Sequence, residues 1–365
     1  MNEIACYVHV PFCAAKCPYC DFYSLSGNAL RCDANQVAAY VHKCAEILGR
    51  ENRYRWKSLY LGGGTPSVLP PALLGKILAA ARERLLPGAE VTVECNPGST
   101  TPALCEVLAA GGVNRVSLGL QSAVPRERAA LGRTAGPEQI LRALACLRSA
   151  GIRNISLDVM LGIPHQTLES LDETLGFCVA AGAGHVSAYL LKLEEGTPFG
   201  LRPPGHLPDE DAQAALYLHC CAWLEARGYR QYEISNFARQ ACESRHNLSY
   251  WRCEEYFALG PAAHGFSCLD RQREENPRRW HYPRDLDYFL SGGAPIDDGP
   301  GGDFEERAML ALRLSEGFRF PSAGMLEKAR RFESQGLLVA DGQGIRLTPE
   351  GFLVSNVVIG ALLGG

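Results

Sequence analysis

The sequence predicts an α/β fold whose first half forms a parallel sheet. Three observations predict it: short apolar runs recur at a steady spacing, a helical pattern fills each interval, and a glycine follows several of those patterns. Strand then helix, repeated, is the connection that parallel strands require. The candidate strands are 4–10, 58–61, 91–95, 116–121, 155–160 and 186–191. They are apolar along most of their length, as expected when both faces are covered. Six such units are too few for a complete eight-fold barrel. The pattern alone leaves an ordinary doubly wound sheet open.

The intervening helices are expected at 35–48, 72–85, 102–110, 137–150 and 168–181, with Gly49, Gly111, Gly151 and Gly182 as their terminators. After Leu191 the texture changes. A Gly/Pro-rich stretch (194–208) leads to a helix at 209–228, and 231–270 mixes aromatics, charges and glycines without a clear period. The Gly/Pro/Asp-rich run 291–303 reads as a linker. Short helical patterns at 305–314 and 323–335 then precede two strand-like runs, 337–340 and 344–348, the texture of a small helical unit with a β-wing. The expected domains are therefore 1–193, an α+β extension at 194–300, and a C-terminal helical, winged-helix-like unit at 301–365. A winged shape by itself says nothing about function.

Cys13, Cys17 and Cys20 follow the first strand directly, spaced C-x3-C-x2-C. Four irons held by three thiolates leave one iron open to a ligand, whereas an electron-carrying cluster is usually closed by four. A zinc knuckle would bring a second ligand pair, and no C-x2-C or H-x3-H partner follows downstream. A disulfide staple would need an oxidising compartment. Residues 1–10 carry no basic n-region, apolar h-region or small-residue cleavage site, so a reducing, cytoplasmic location is expected. The other twelve of the 15 cysteines are scattered (Cys6, Cys32, Cys44, Cys95, Cys105, Cys146, Cys178, Cys220, Cys221, Cys242, Cys253, Cys268) and read as small buried hydrophobes. A formal net charge of -4 gives no broad footprint for nucleic acid, and no apolar run approaches eighteen residues.

In a parallel barrel, functional side chains come from the C-terminal ends of strands. Here those ends carry the cysteine loop, Gly62-Gly63-Gly64-Thr65-Pro66, Glu94, Gln121 and Asp158. The glycines are expected to let backbone groups approach a ligand closely. An unpaired buried carboxylate costs several kcal/mol, so Glu94 and Asp158 need partners. A zwitterionic ligand would supply one; neighbouring backbone is the competing reading.

The cysteine spacing and the Gly-Gly-Gly-Thr-Pro run together resemble the radical S-adenosylmethionine (SAM) superfamily, in the form found in relatives of the oxygen-independent coproporphyrinogen III oxidase. The resemblance implies an open-sided (β/α)6 partial barrel. It also implies a 4Fe-4S cluster on Cys13, Cys17 and Cys20, with the amino and carboxylate groups of SAM on the open iron. By motif match, Tyr7, Gly63, Gly64, Thr65, Glu94, Gln121 (in Leu118-Gly119-Leu120-Gln121-Ser122), Arg133 (in Leu131-Gly132-Arg133-Thr134) and Asp158 are SAM contacts. In the oxidase these positions divide between two SAM molecules.

Two features separate the branches. The oxidase continues its cluster motif with C-x-C, whereas this chain has Cys20-Asp21-Phe22. In addition, His246-Asn247-Leu248-Ser249-Tyr250-Trp251 resembles the H-N-x-x-Y-W motif of the haem chaperone (HemW-type) branch. Glu195-Gly196-Thr197-Pro198-Phe199, 260–266 and Met309-Leu310-Ala311-Leu312-Arg313 match as well, with Ala263 in place of an expected glycine and Lys192-Leu193-Glu194-Glu195 as a variant segment. This branch implies a protein that binds haem, the cluster and SAM and delivers haem to acceptor proteins. It further implies an electron donor such as flavodoxin or ferredoxin, no nucleic acid, and peripheral membrane association through the acceptors. Imidazole ligates haem iron and aromatic faces cover a macrocycle, which makes His246 the haem ligand candidate. The competing reading is a histidine hydrogen-bonded in a domain interface; His264 and His9 rank behind. The alternative function is a radical SAM enzyme, either the oxidase itself or a SAM-dependent methylase, that cleaves SAM to methionine and a 5'-deoxyadenosyl radical. Coproporphyrinogen oxidase activity is expected to be absent.

Overall fold

The computed structural model describes residues 2–26, 34–268 and 276–364 of the 365. Cys32 lies outside the described residues. Six strands follow the predicted order: β1 (Asn2–Val10), β2 (Tyr54–Gly63), β3 (Leu85–Cys95), β4 (Arg115–Gln121), β5 (Asn154–Leu161) and β6 (His185–Leu190). Each pairs in parallel with the next. The crossovers run through α1 (Ala34–Arg50), α2 (Pro71–Arg82), α3 (Pro102–Ala110), α4 (Pro137–Ser149) and α5 (Leu168–Ala180). Thr101 and Thr167 start α3 and α5 by accepting the backbone N–H groups of Leu104 and Ser170. Gly151 and Gly182 close α4 and α5 in left-handed conformations. After α3 that role falls to Gly112, one residue beyond the expected Gly111. Gly49 does not end α1, which continues through it to Arg50.

The parallel stretch is longer than the sequence predicts. Further strands β7 (Arg230–Glu233), β8 (Asn236–Ala238), β9 (Tyr256–Leu259), β10 (His264–Ser267), β11 (Arg278–His281) and β12 (Ile296–Pro300) complete a 12-stranded sheet. Its order is β12-β11-β10-β9-β1-β2-β3-β4-β5-β6-β8-β7. β9 pairs in parallel with β1, adding a seventh parallel strand. At four residues, Tyr-Phe-Ala-Leu is too short to display a period. β12 lies inside the expected linker, because Asp297 and Asp298 pair across the ladder with Arg278 and His281, each at 2.8 Å. Charges that read as loop are cross-strand partners.

The strands are also not apolar on both faces. On β5, Ile155, Leu157 and Val159 join the core with Ile140 and Leu144 of α4 and Leu171 and Leu175 of α5. Ser156, Asp158 and Met160 line a cavity on the other side. The same alternation puts Arg115, Ser117 and Gly119 of β4 and His185, Ser187 and Tyr189 of β6 on the cavity. Burial on the helix side, about 1.5–3 kcal/mol per large apolar side chain, holds the wall. The inner face is left for polar chemistry.

Beyond the sheet, helices Phe304–Ala311, Ala323–Glu333, Pro349–Leu353 and Ser355–Leu363 surround an antiparallel hairpin of Leu338–Asp341 and Gly344–Leu347. Among the described residues, no helix is long and apolar enough to cross a membrane.

Candidate functional site

A cavity of about 840 Å³ opens at the C-terminal ends of the parallel strands. Cys13, Cys17 and Cys20 lie on its wall, partly exposed and free of disulfides. Their loop is anchored at several points. Phe12 and Cys13 pair with Leu25 and Ser26, the Thr65 N–H donates to the Phe12 carbonyl at 2.7 Å, and the Phe199 N–H donates to the Pro18 carbonyl at 3.0 Å. His9 Nε2 donates to the Tyr23 carbonyl at 2.8 Å, tying the end of the loop to β1. Among the described residues, only His264, His281 and Asp298 bring three metal-binding donors within 4.8 Å of one another. The cysteines bring no second pair of zinc ligands with them, as a zinc knuckle would.

The glycine run also has a structural role. A Cβ on Gly64 would lie 2.6 Å from the Phe12 carbonyl and 2.7 Å from that of Val10, and Gly63 (φ +99°) would drive one into the His9 ring at 2.5 Å. Both glycines border the cavity. The space they free is filled by the cysteine loop and His9.

Glu94 and Asp158 both reach the cavity. Burial raises Glu94 to about 7, although the Tyr60 hydroxyl, donating at 2.7 Å, favours its ionised form. Burial likewise raises Asp158 to about 6, opposed by the Ser117 hydroxyl, which donates at 2.8 Å. Gln121 sits at a break in the β4–β5 register with φ +67°. Such a conformation costs about 1 kcal/mol or more for a non-glycine residue and tends to mark functional sites. Its Oε1 accepts from Tyr189 at 3.0 Å, and its side chain lines the cavity. Arg133 spans from the Gly119 carbonyl (3.1 Å) to the Cys17 sulfur (3.5 Å), linking this break to the cysteine loop. Thr65 Oγ1 lies 3.4 Å from the Cys13 sulfur.

Residues 7–178 match the Radical SAM superfamily, and residues 303–354 match the HemN C-terminal domain. The chain is 32% identical to the heme chaperone HemW of Bacillus subtilis over 98% of both chains. It is 37% identical to the heme chaperone HemW of Escherichia coli over 78% of this chain and 75% of that one. The chain belongs to the radical SAM superfamily, in its HemW family. Among solved structures, coproporphyrinogen III oxidase (HemN) from Escherichia coli superposes with a TM-score of 0.80 at 19% identity, covering 100% of this chain and 90% of that one. At that identity the likeness shows the fold.

As a radical SAM protein, the chain uses a 4Fe-4S cluster and SAM as cofactors. Three free thiols beside polar, buried carboxyls fit that pair of groups. Of the expected SAM residues, Gly63, Gly64, Thr65, Glu94, Gln121, Arg133 and Asp158 share the one cavity with the cysteines. Tyr7 is not on its wall. Its hydroxyl bonds to His9 Nδ1 at 3.1 Å, and its ring packs behind Tyr60.

His246, the haem ligand candidate, lies in surroundings that favour the competing reading of a hydrogen-bonded interface histidine. It begins the helix Arg245–Trp251 close to the capping Ser244, is 1% exposed and does not line the cavity, whereas Asn247 does. Nδ1 bonds to Ser58 Oγ at 2.8 Å and Nε2 to the Tyr250 hydroxyl at 2.7 Å, with the ring stacked on Tyr60. Burial drives its pKa down to about 3, so the imidazole is neutral. A neutral imidazole offers one donor and one acceptor, and both are used. Both nitrogens are engaged within the fold in this structure.

Sequence reasoning missed Arg115, which is 2% exposed on the cavity floor, where its charge lowers the pKa of both Glu94 and Asp158. Its Nε has no hydrogen-bond partner among the described residues. The signal was available, since a charged residue inside a buried parallel strand demands a partner or a ligand. Tyr60 and Tyr189 were hidden because aromatics are ordinary strand residues.

Proposed function

We propose that this chain is a haem chaperone that binds haem alongside its 4Fe-4S cluster and SAM and delivers haem to acceptor proteins. The observation that carries this reading is the match to heme chaperones along 98% of both chains. Phe22 adds to it: where the oxidase motif has a cysteine, this chain places an apolar ring that is 66% exposed on the cavity rim. In this reading Cys13, Cys17 and Cys20 hold the cluster, and Gly63, Gly64, Thr65, Glu94, Gln121, Arg133 and Asp158 hold SAM, with Tyr7 supporting the wall from behind. When bound, the reduced cluster supplies the electron that can cleave the SAM sulfonium. Arg133 keeps a positive charge beside the Cys17 sulfur, and Glu94 and Asp158 offer carboxylates to the SAM ammonium. An electron donor such as flavodoxin or ferredoxin, and contact with membranes through the acceptors, belong to the same reading.

Anaerobic reconstitution followed by parallel assays tests it. Haem should bind and pass to an apo-acceptor, while coproporphyrinogen III should remain intact. Protoporphyrinogen formed in dependence on SAM and a reductant would overturn the chaperone reading in favour of the oxidase.

His246→Ala is expected to lower stability by about 2–4 kcal/mol, because it strands the Ser58 and Tyr250 hydroxyls in a buried site. The haem absorption spectrum of the folded variant should match wild type. A displaced spectrum with unchanged denaturation midpoint would restore His246 as an iron ligand.

A further inference from the structure

We propose that β10, β11 and β12 carry a site for one divalent transition-metal ion, formed by His264, His281 and Asp298. His264 and His281 face each other across the β10–β11 ladder, with their rings 5.2 Å apart and 23° from parallel. The β11–β12 ladder then slips: Arg279 opposes Gly299 while Trp280 opposes Asp297, leaving Asp298 as the extra residue of a bulge. Bulges re-aim side chains. This one turns the Asp298 carboxylate toward His281 Nδ1, at 2.8 Å, while Asp297 remains with Arg278. One donor atom from each of the three residues lies within 4.8 Å of the others.

Two imidazoles and a carboxylate are the donors that zinc and its neighbours in the first transition row accept, with a fourth position open to water. Zinc ligands at about 2.0–2.1 Å from the ion lie roughly 3.3 Å apart, so the site must contract by about 1.5 Å at most. The edge strand is free to supply that movement, since four of the five β12 residues are exposed. An exposed ion pair contributes at most about 1 kcal/mol to holding such a strand. A metal would pin it far more firmly. Two cations, Arg279 and Arg284, face His264. Arg279 is committed to Glu306 at 2.8 Å and Arg284 to Asp21 at 3.1 Å, which tempers their opposition to a dication. None of the three ligands lines the cavity that holds the cysteines.

The test uses full-length, cluster-reconstituted protein dialysed against Zn²⁺ without oxygen. Zinc and iron are counted, and the zinc first shell is read by X-ray absorption. One zinc per chain with only nitrogen and oxygen neighbours at about 2.0–2.1 Å is expected. His264→Ala and His281→Ala should each lose it, and Asp298→Asn should weaken it at least about tenfold, with iron content unchanged in all three. A sulfur shell at about 2.3 Å, no retained zinc in the wild type, or equal zinc in a His264→Ala/His281→Ala double variant would overturn the proposal.

Discussion

Cys13→Ala, Cys17→Ala and Cys20→Ala proteins, reconstituted without oxygen, are each expected to retain essentially none of the cluster iron and to lose its charge-transfer absorption. The motif has no spare ligand. In the proposed assignment each thiolate would hold one iron and leave the fourth open. The loop should survive the substitutions, because its anchors are backbone bonds such as Leu25 N–H to the Pro11 carbonyl (2.8 Å) and Gly64 N–H to the Val10 carbonyl (2.8 Å). Far-ultraviolet circular dichroism should therefore match that of the cluster-free wild type. Full iron content in any one of the three would remove that cysteine from the ligand set.

Glu94→Gln is expected to weaken SAM binding about 10- to 100-fold, the loss of one charge-assisted hydrogen bond, without altering iron content. A pH signature accompanies it. With Glu94 raised to about 7 by burial, the carboxyl is protonated below that value and offers no charge to an ammonium group. Wild-type SAM affinity should rise with pH through about 7, and the rise should flatten in Glu94→Gln. Tyr60, Asp158, Gly63 and Arg115 are the groups that set this value. Stability of the ligand-free chain runs the other way. Glu94 and Asp158 titrate above their unfolded values, so folding takes up protons, and the associated stability is complete below the unfolded range and lost as pH rises through about 6 to 7. Titration calorimetry of both proteins with SAM across this window checks the first claim. Equal affinities throughout would return Glu94 to a purely structural role.

The order of strands and helices was legible because apolar runs alternate with helical patterns at a steady spacing, as at β4 and α4. β9 was not, since four residues carry no period and its partner β1 lies some 250 positions away in sequence. The cavity residues Glu94, Gln121 and Asp158 could be placed at strand ends because a barrel sends those ends to one mouth. The inward alternation was misread as continuous apolar texture. Ser, Tyr and Gly interrupt a hydrophobic run too weakly to announce a polar face. His246 drew attention through its aromatic neighbours, yet one of them, Tyr250, engages Nε2 while Ser58, distant in sequence, engages Nδ1. Sequence lists chemical types; which lone pairs remain free is decided by folding.

The two-sided character of the barrel strands separates two kinds of selection. Changes at Leu157 or Val186 act on folding, because those side chains are wholly buried in the core. Changes at Ser187 or Tyr189 act on what the barrel admits, because those side chains border open volume. A descendant of this chain could acquire a different guest by rewriting its lining while its outer layer stays untouched. One scaffold can thus diversify its ligands without passing through unstable ancestors.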